Sequence, residues 1–141
     1  MTRTKKTGIK ARGGRAAVIG ALGVASVALA AVPAFAKGDV TVTAPHTAQV
    51  GKTFTVTAHG DDDAADYLRV CLEGRTGTQA WRQLTCGAVV DRSGDAQATT
   101  HVKAASKGAL QYRAVAYGLL TKDDKHPVRE RTSSTVTVTV R

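Results

Sequence analysis

Aromatic side chains are scarce: one Trp, three Tyr and two Phe in 141 residues. A core in such a chain has to be built from aliphatic residues, and no series of rings is available to stack unpaired bases, so single-stranded nucleic acid is not expected as a partner. Catalytic and metal-binding signatures are missing too. There is no G-x-S-x-G, no H-E-x-x-H and no C-x-x-C. His46, His59, His101 and His126 fall in separate segments, without the spacing that brings ligands to one metal. Ser93, Ser106, Ser133 and Ser134 sit in turns or at a strand start, away from any base and orienting acid that could activate a nucleophile. Paired carboxylates for glycoside cleavage would need a cleft that a domain this small rarely provides. No catalytic residue, metal or cofactor is therefore expected, and the chain is read as a non-enzyme.

The first 36 residues contain no acid. They hold Arg3, Lys5, Lys6, Lys10, Arg12 and Arg15, six units of the chain's net +9, which leaves +3 for residues 37–141. The basic pI thus belongs mostly to the N-terminal segment and does not argue for nucleic acid. A basic stretch (Met1–Arg15), an uncharged apolar run (Ala16–Val32) and Pro33-Ala34-Phe35-Ala36 before Lys37 follow the plan of a secretory signal peptide, with the small residues Ala34 and Ala36 suited to the cleavage enzyme. Ala16–Ala36 is also long enough to span a bilayer, but its Ala and Gly content makes insertion weak, and cleavage is expected. No Cys follows the apolar run to take a lipid, and no adjacent Arg pair marks the twin-arginine route. The expected product is a secreted, extracellular, monomeric domain of residues 37–141 that has left the membrane behind.

The cysteine count agrees with export. Cys71 and Cys86 are the only two, and outside the cytoplasm an even count reads as a disulfide. Closing a loop of that length contributes about 3 kcal/mol in the chain-entropy account.

Beyond residue 37 the apolar rhythm is two, not 3.6. Val40 and Val42 alternate with Thr41 and Thr43; Phe54, Val56 and Ala58 with Thr53, Thr55 and Thr57; Leu68, Val70 and Leu72 with Arg69, Cys71 and Glu73; Val136, Val138 and Val140 with Thr135, Thr137 and Thr139. Each such strand has one dry and one wet side. Further strands are expected near Ala80–Cys86, Ala96–Val102 and Leu110–Tyr117. Turn signals separate them at Val50–Lys52, Gly60–Asp63, Gly74–Thr78, Arg92–Asp95 and Ser106–Gly108. About seven short strands at this spacing predict an all-β sandwich or barrel in one domain. The outer Thr rows are read as solvated strand faces.

These residues resemble a family. Val50-Gly51-Lys52-x-Phe54-x-Val56-x-Ala58 is similar to the second strand of bacterial immunoglobulin-like domains, and Gly108-x-Leu110-x-Tyr112-x-Ala114 to the sixth. Val70-x-Leu72 with Trp81 and Ser93-Gly94, and the closing Ser134-x-Val136-x-Val138-x-Val140, look like secreted actinobacterial members of that class. The resemblance implies an immunoglobulin-like antiparallel β-sandwich in which the Tyr112 hydroxyl caps the preceding corner. The antibody-type inter-sheet disulfide is missing, since Ala114 stands where one Cys would be. Cys71 falls on the outward side of its strand with Tyr67, Arg69 and Glu73, which makes the bridge to Cys86 peripheral. Trp81 is read as hairpin packing rather than a ligand platform.

The same resemblance brings together the loop after the second strand and the loop before the last. The first carries Asp61, Asp62, Asp63 and Asp66; the second, Leu119–Arg131, carries Lys122, Asp123, Asp124, Lys125 and His126. These residues form the candidate binding end. A calcium loop, a protein-binding end and a solvated turn all remain open for it; the spacing lacks the Gly and terminal Glu of an EF-hand. The expected function is a non-catalytic binding or structural module for an unidentified extracellular protein or surface ligand. Two alternatives stand beside it. One is a small-molecule carrier resembling the neocarzinostatin group of chromophore proteins, although their second disulfide is absent. The other is a secreted protease inhibitor with Arg75 as primary specificity residue in a Gly74–Ala80 loop.

Overall fold

The computed structural model describes residues 38–141. The segment read as a signal peptide, residues 1–36, lies outside the described residues. Ten strands follow in order: β1 (Val40–Thr43), β2 (Thr47–Ala48), β3 (Thr53–Gly60), β4 (Tyr67–Thr76), β5 (Arg82–Cys86), β6 (Val90–Asp91), β7 (Ala96–Lys103), β8 (Gly108–Leu119), β9 (Val128–Thr132) and β10 (Val136–Val140). Setting aside the two-residue strands β2 and β6, and counting β9 and β10 as one interrupted strand, seven remain, as the turn spacing predicts.

They form an immunoglobulin-like β-sandwich. One sheet has the order β1-β3-β7 and the other β2-β10-β8-β4-β5, with β6 added to β4 and β9 to β8. Pairing is antiparallel except between β10 and β2, which run parallel. The long β4–β8 ladder, from Tyr67↔Leu119 to Thr76↔Leu110, is the spine of the larger sheet.

The interior is aliphatic. Val56 and Ala58 of β3, Leu68, Val70 and Leu72 of β4, Ala114 of β8 and Val138 of β10 are each at most 1% exposed. Burying one Val or Leu this completely is worth about 1.5–3 kcal/mol. Their period of two aims every one inward, and in β3 and β10 the intervening Thr53, Thr55, Thr137 and Thr139 face water. Phe54 and Tyr112 meet edge to face at 6.0 Å between ring centres. The predicted corner bond of Tyr112 is not made: its hydroxyl has no hydrogen-bond partner among the described residues, and the ring is held by packing instead.

Two other expectations are corrected. Leu119–Arg131 is not all loop, because β8 runs to Leu119 and β9 begins at Val128. The missed strand is Val-Arg-Glu-Arg-Thr, whose charge hides its pairing role. The junction of β9 with β10 is stitched by Ser133: its Oγ accepts the Ala114 N–H at 2.8 Å and its own N–H donates to the Ala114 carbonyl at 2.9 Å. Gly74, Arg75 and Thr76 are likewise strand rather than turn.

Candidate functional site

Cys71 and Cys86 are bonded, with Cα atoms 3.9 Å apart at directly opposite positions of β4 and β5. The bridge lies on the outward face of the larger sheet, outside the main core cluster, yet Cys71 is 1% exposed and its neighbour Val115 is fully buried. The surrounding side chains are long and charged. Glu73 accepts from Arg113 Nε at 2.6 Å and from Arg129 at 3.2 Å. The guanidinium groups of Arg113 and Arg75 lie 4.2 and 4.5 Å from the centre of the Trp81 ring. Trp81 therefore packs on the hairpin's outer side, between cations, where the attraction of charge for the ring adds to contact area. Arg75 Nε also donates to Gln111 at 2.6 Å. The inhibitor reading required Arg75 to project from an exposed loop; instead it lies in β4, paired with Gln111 of β8.

The two loops of the candidate binding end do meet. The turn at residues 61–66 and the loop at residues 120–127 flank a cleft of about 190 Å³. Leu119, Leu120 and Val128 supply its apolar wall, with Asp66, Asp124 and His126 at the rim. The carboxylates that stand out in the sequence are largely used to shape the loops. Asp61 accepts the Asp39 N–H at 2.6 Å, tying the start of β1 to the end of β3. Asp62 is 5% exposed and closes its own turn by accepting the Ala64 N–H at 2.7 Å. Asp124 accepts from the backbone N–H groups of His126 at 2.8 Å and Leu120 at 3.1 Å. Those bonds hold its carboxyl below the usual carboxylate range. Asp66 pairs with Arg92 at 2.5 Å, both groups more than half exposed.

Lys122 reaches toward the Tyr67 ring, 5.9 Å from its centre. Asp63, Asp123, Lys125 and His126 are exposed. Among the described residues no three metal-ligating side chains come together. The calcium loop weighed from the Asp run has no shared centre here: Asp61 turns to β1, Asp62 to its own turn and Asp66 to Arg92.

Sequence reasoning missed the most exposed apolar side chains of this end. Leu120 is 78% and Val128 62% exposed. The signal for Leu120 was the second Leu of a pair at a strand's close, where alternation can bury only one.

The opposite end is different. Strand directions carry every Asp and Glu except Glu73 to the end just described. At the other end the turns and strand tips carry Lys52, Arg75, Arg82, Lys103, Lys107 and Arg141 and no acidic side chain. A groove of about 250 Å³ opens there between the sheets, with Leu84, Val102, Leu110 and Tyr112 along its floor. Gly74 keeps it open: a Cβ at that position would come within 2.9 Å of Leu84 Cδ1 and 3.1 Å of the Tyr112 ring.

No family model matches the chain, and no curated protein does. Among solved structures, the superoxide reductase (neelaredoxin) of Ignicoccus hospitalis is similar at a TM-score of 0.49 and 15% identity, over 72% of this chain and 80% of that one. At that identity and score the likeness assigns this chain neither an activity nor a site.

Proposed function

We propose that the chain is an exported, non-catalytic β-sandwich binding module, of the kind seen in secreted actinobacterial immunoglobulin-like domains, whose working surface is the end built by residues 61–66 and 119–131. One observation carries this reading: two large apolar side chains, Leu120 and Val128, stand in water beside a cleft whose loops are fixed by Asp62 and Asp124. Loops ordered in advance lose little entropy on association, and exposed apolar groups inside a polar rim are the usual anchors of a protein partner. The Cys71–Cys86 bridge is consistent with an extracellular setting.

The test has two steps. Protein recovered from culture medium is expected to begin near Lys37; retention of the intact chain inside the cell would overturn export. A photo-crosslinking residue in place of Leu120 is then compared with the same residue in place of Thr137, which is exposed on the outer Thr row. Adducts with another exported protein from position 120 alone support the binding end. Equal labelling at both positions, or none, removes it.

A second reading, a small-molecule carrier, draws on the groove at the cationic end, which has the apolar floor and convergent polar rim of a ligand pocket. Native mass spectrometry of the secreted protein checks it through a bound mass that denaturation releases.

A further inference from the structure

We propose that the groove at the cationic end binds an amphipathic anion, a one- or two-ring aryl carboxylate. The inference deepens the carrier reading by giving its ligand a charge, a size and an orientation. The volume, about 250 Å³, corresponds to about eight water volumes, the scale of a benzoate or naphthoate body.

Four independent observations converge. Leu84 is 44% exposed although its strand is bridged to the sheet by a disulfide two residues away, so its apolar surface is presented to the groove rather than to the core. Tyr112 is 3% exposed, lines the groove, and carries a hydroxyl with no partner among the described residues. That hydroxyl is not fully enclosed, since the one fully buried unpartnered side-chain polar atom among the described residues is Arg69 Nε, and it is open to a ligand oxygen. Burial also pushes the Tyr112 phenol up, which keeps it a neutral donor.

Arg75 and Arg82 line the same groove. Arg75 is held in place by Gln111 and the Trp81 ring, and Arg82 is exposed. A planar guanidinium suits a planar carboxylate, which it can bind through two parallel hydrogen bonds. Finally, Lys52, Lys103 and Lys107 lie on turns and strand tips of the same end, outside the groove's lining and with no acidic side chain among them, a field that attracts anions from a distance. A polyanion would need only those surface cations and would leave the floor of Leu84, Val102 and Leu110 unused. A ring acid uses both, its body on the floor and its carboxylate toward Arg82 and Tyr112.

The experiment titrates the protein as secreted with 2-naphthoate, 2-naphthamide and 2-naphthylmethylamine while following methyl resonances by NMR. Naphthoate is expected to move the methyls of Leu84, Val102 and Leu110. The amide should bind about tenfold more weakly, the scale of one charge-assisted hydrogen bond, and the amine more weakly still. Arg82→Gln should bring the acid down to the level of the amide without altering the fold. Tyr112→Phe should weaken acid and amide together.

Equal binding of acid and amide would overturn the charge inference and leave the carrier reading standing. No methyl shift with any probe at millimolar concentration would overturn both. Shifts confined to surface resonances away from Leu84 and Leu110 would overturn the site.

Discussion

The two ends of the sandwich use charge in opposite ways. At the loop end the acids are crowded in sequence, with Asp61, Asp62, Asp63 and Asp66 inside six residues, and most are already engaged. Asp61, Asp62 and Asp124 accept backbone N–H groups, and Asp66 takes Arg92. At the groove end the cations arrive one at a time from separate turns and strand tips, and no acidic side chain lies at those turns. A dense charge run along the chain has become scaffold, and a dispersed set has become a patch. Short acidic side chains next to turning backbone are well placed to satisfy it, whereas long cationic side chains at strand tips reach past the backbone into solvent.

The largest effect that separates the ends should come from reducing Cys71–Cys86. The bridge fixes β5, and β5 carries Leu84 and Arg82 of the groove. Reduction is expected to cost about 3 kcal/mol, read as a lower denaturation midpoint. Amide exchange should accelerate at residues 82–86 well before it does at residues 61–66. Equal acceleration at both ends would mean that the bridge supports the whole fold and has no particular bearing on the groove.

Next in size is Asp62→Ala. The substitution removes the acceptor of the Ala64 N–H in a turn where Asp62 alone is buried and should cost about 0.5–1.5 kcal/mol; Asp62→Asn, which keeps an acceptor oxygen, should restore most of it. By contrast, Lys52→Gln or Lys107→Gln at the other end should change stability by no more than about 0.5 kcal/mol. Urea titrations of the four variants measure the contrast directly. A cost at Lys52 or Lys107 comparable to that at Asp62 would erase the distinction between scaffold and patch.

Much of this architecture can be read from the sequence, for a physical reason. The Val/Thr and Leu/Arg alternations in β3, β4 and β10 are local and repeat every second residue, so they specify both the strand and its inward face. The Cys pair is legible from the even count, and the meeting of the two loops from strand order. What could not be read depends on register between distant segments. That Arg75 and Arg113 converge on Trp81 follows from the β4–β8 pairing and from how the hairpin folds back. The groove exists because Gly74, Leu84, Val102 and Tyr112 come from four different strands. β9 escaped notice because its exposed Arg129 and Glu130 conceal the alternation, and Ser133 repairs the ladder with a side chain rather than a pattern.

The smallest predicted effect is local and depends on pH. Asp124 holds the 120–127 loop through the N–H groups of His126 and Leu120, and its carboxyl titrates below the usual range because of them. A group whose folded value is lowered contributes fully above the unfolded carboxylate value, about 3.9, and its contribution is lost as pH falls through the lower folded value. The amide resonances of His126 and Leu120 should therefore stay fixed from neutrality down to about pH 4 and move together only in more acid solution. Asp124→Asn should remove the transition while keeping much of the loop, since the amide oxygen still accepts. The methyls of Leu84 and Leu110 in the groove, which has no carboxylate in its lining, should show no shift over the same interval. Motion of Leu84 or Leu110 in step with His126 would show that the two ends are coupled, and the contrast between a self-satisfied acidic scaffold and an independent cationic patch would fall.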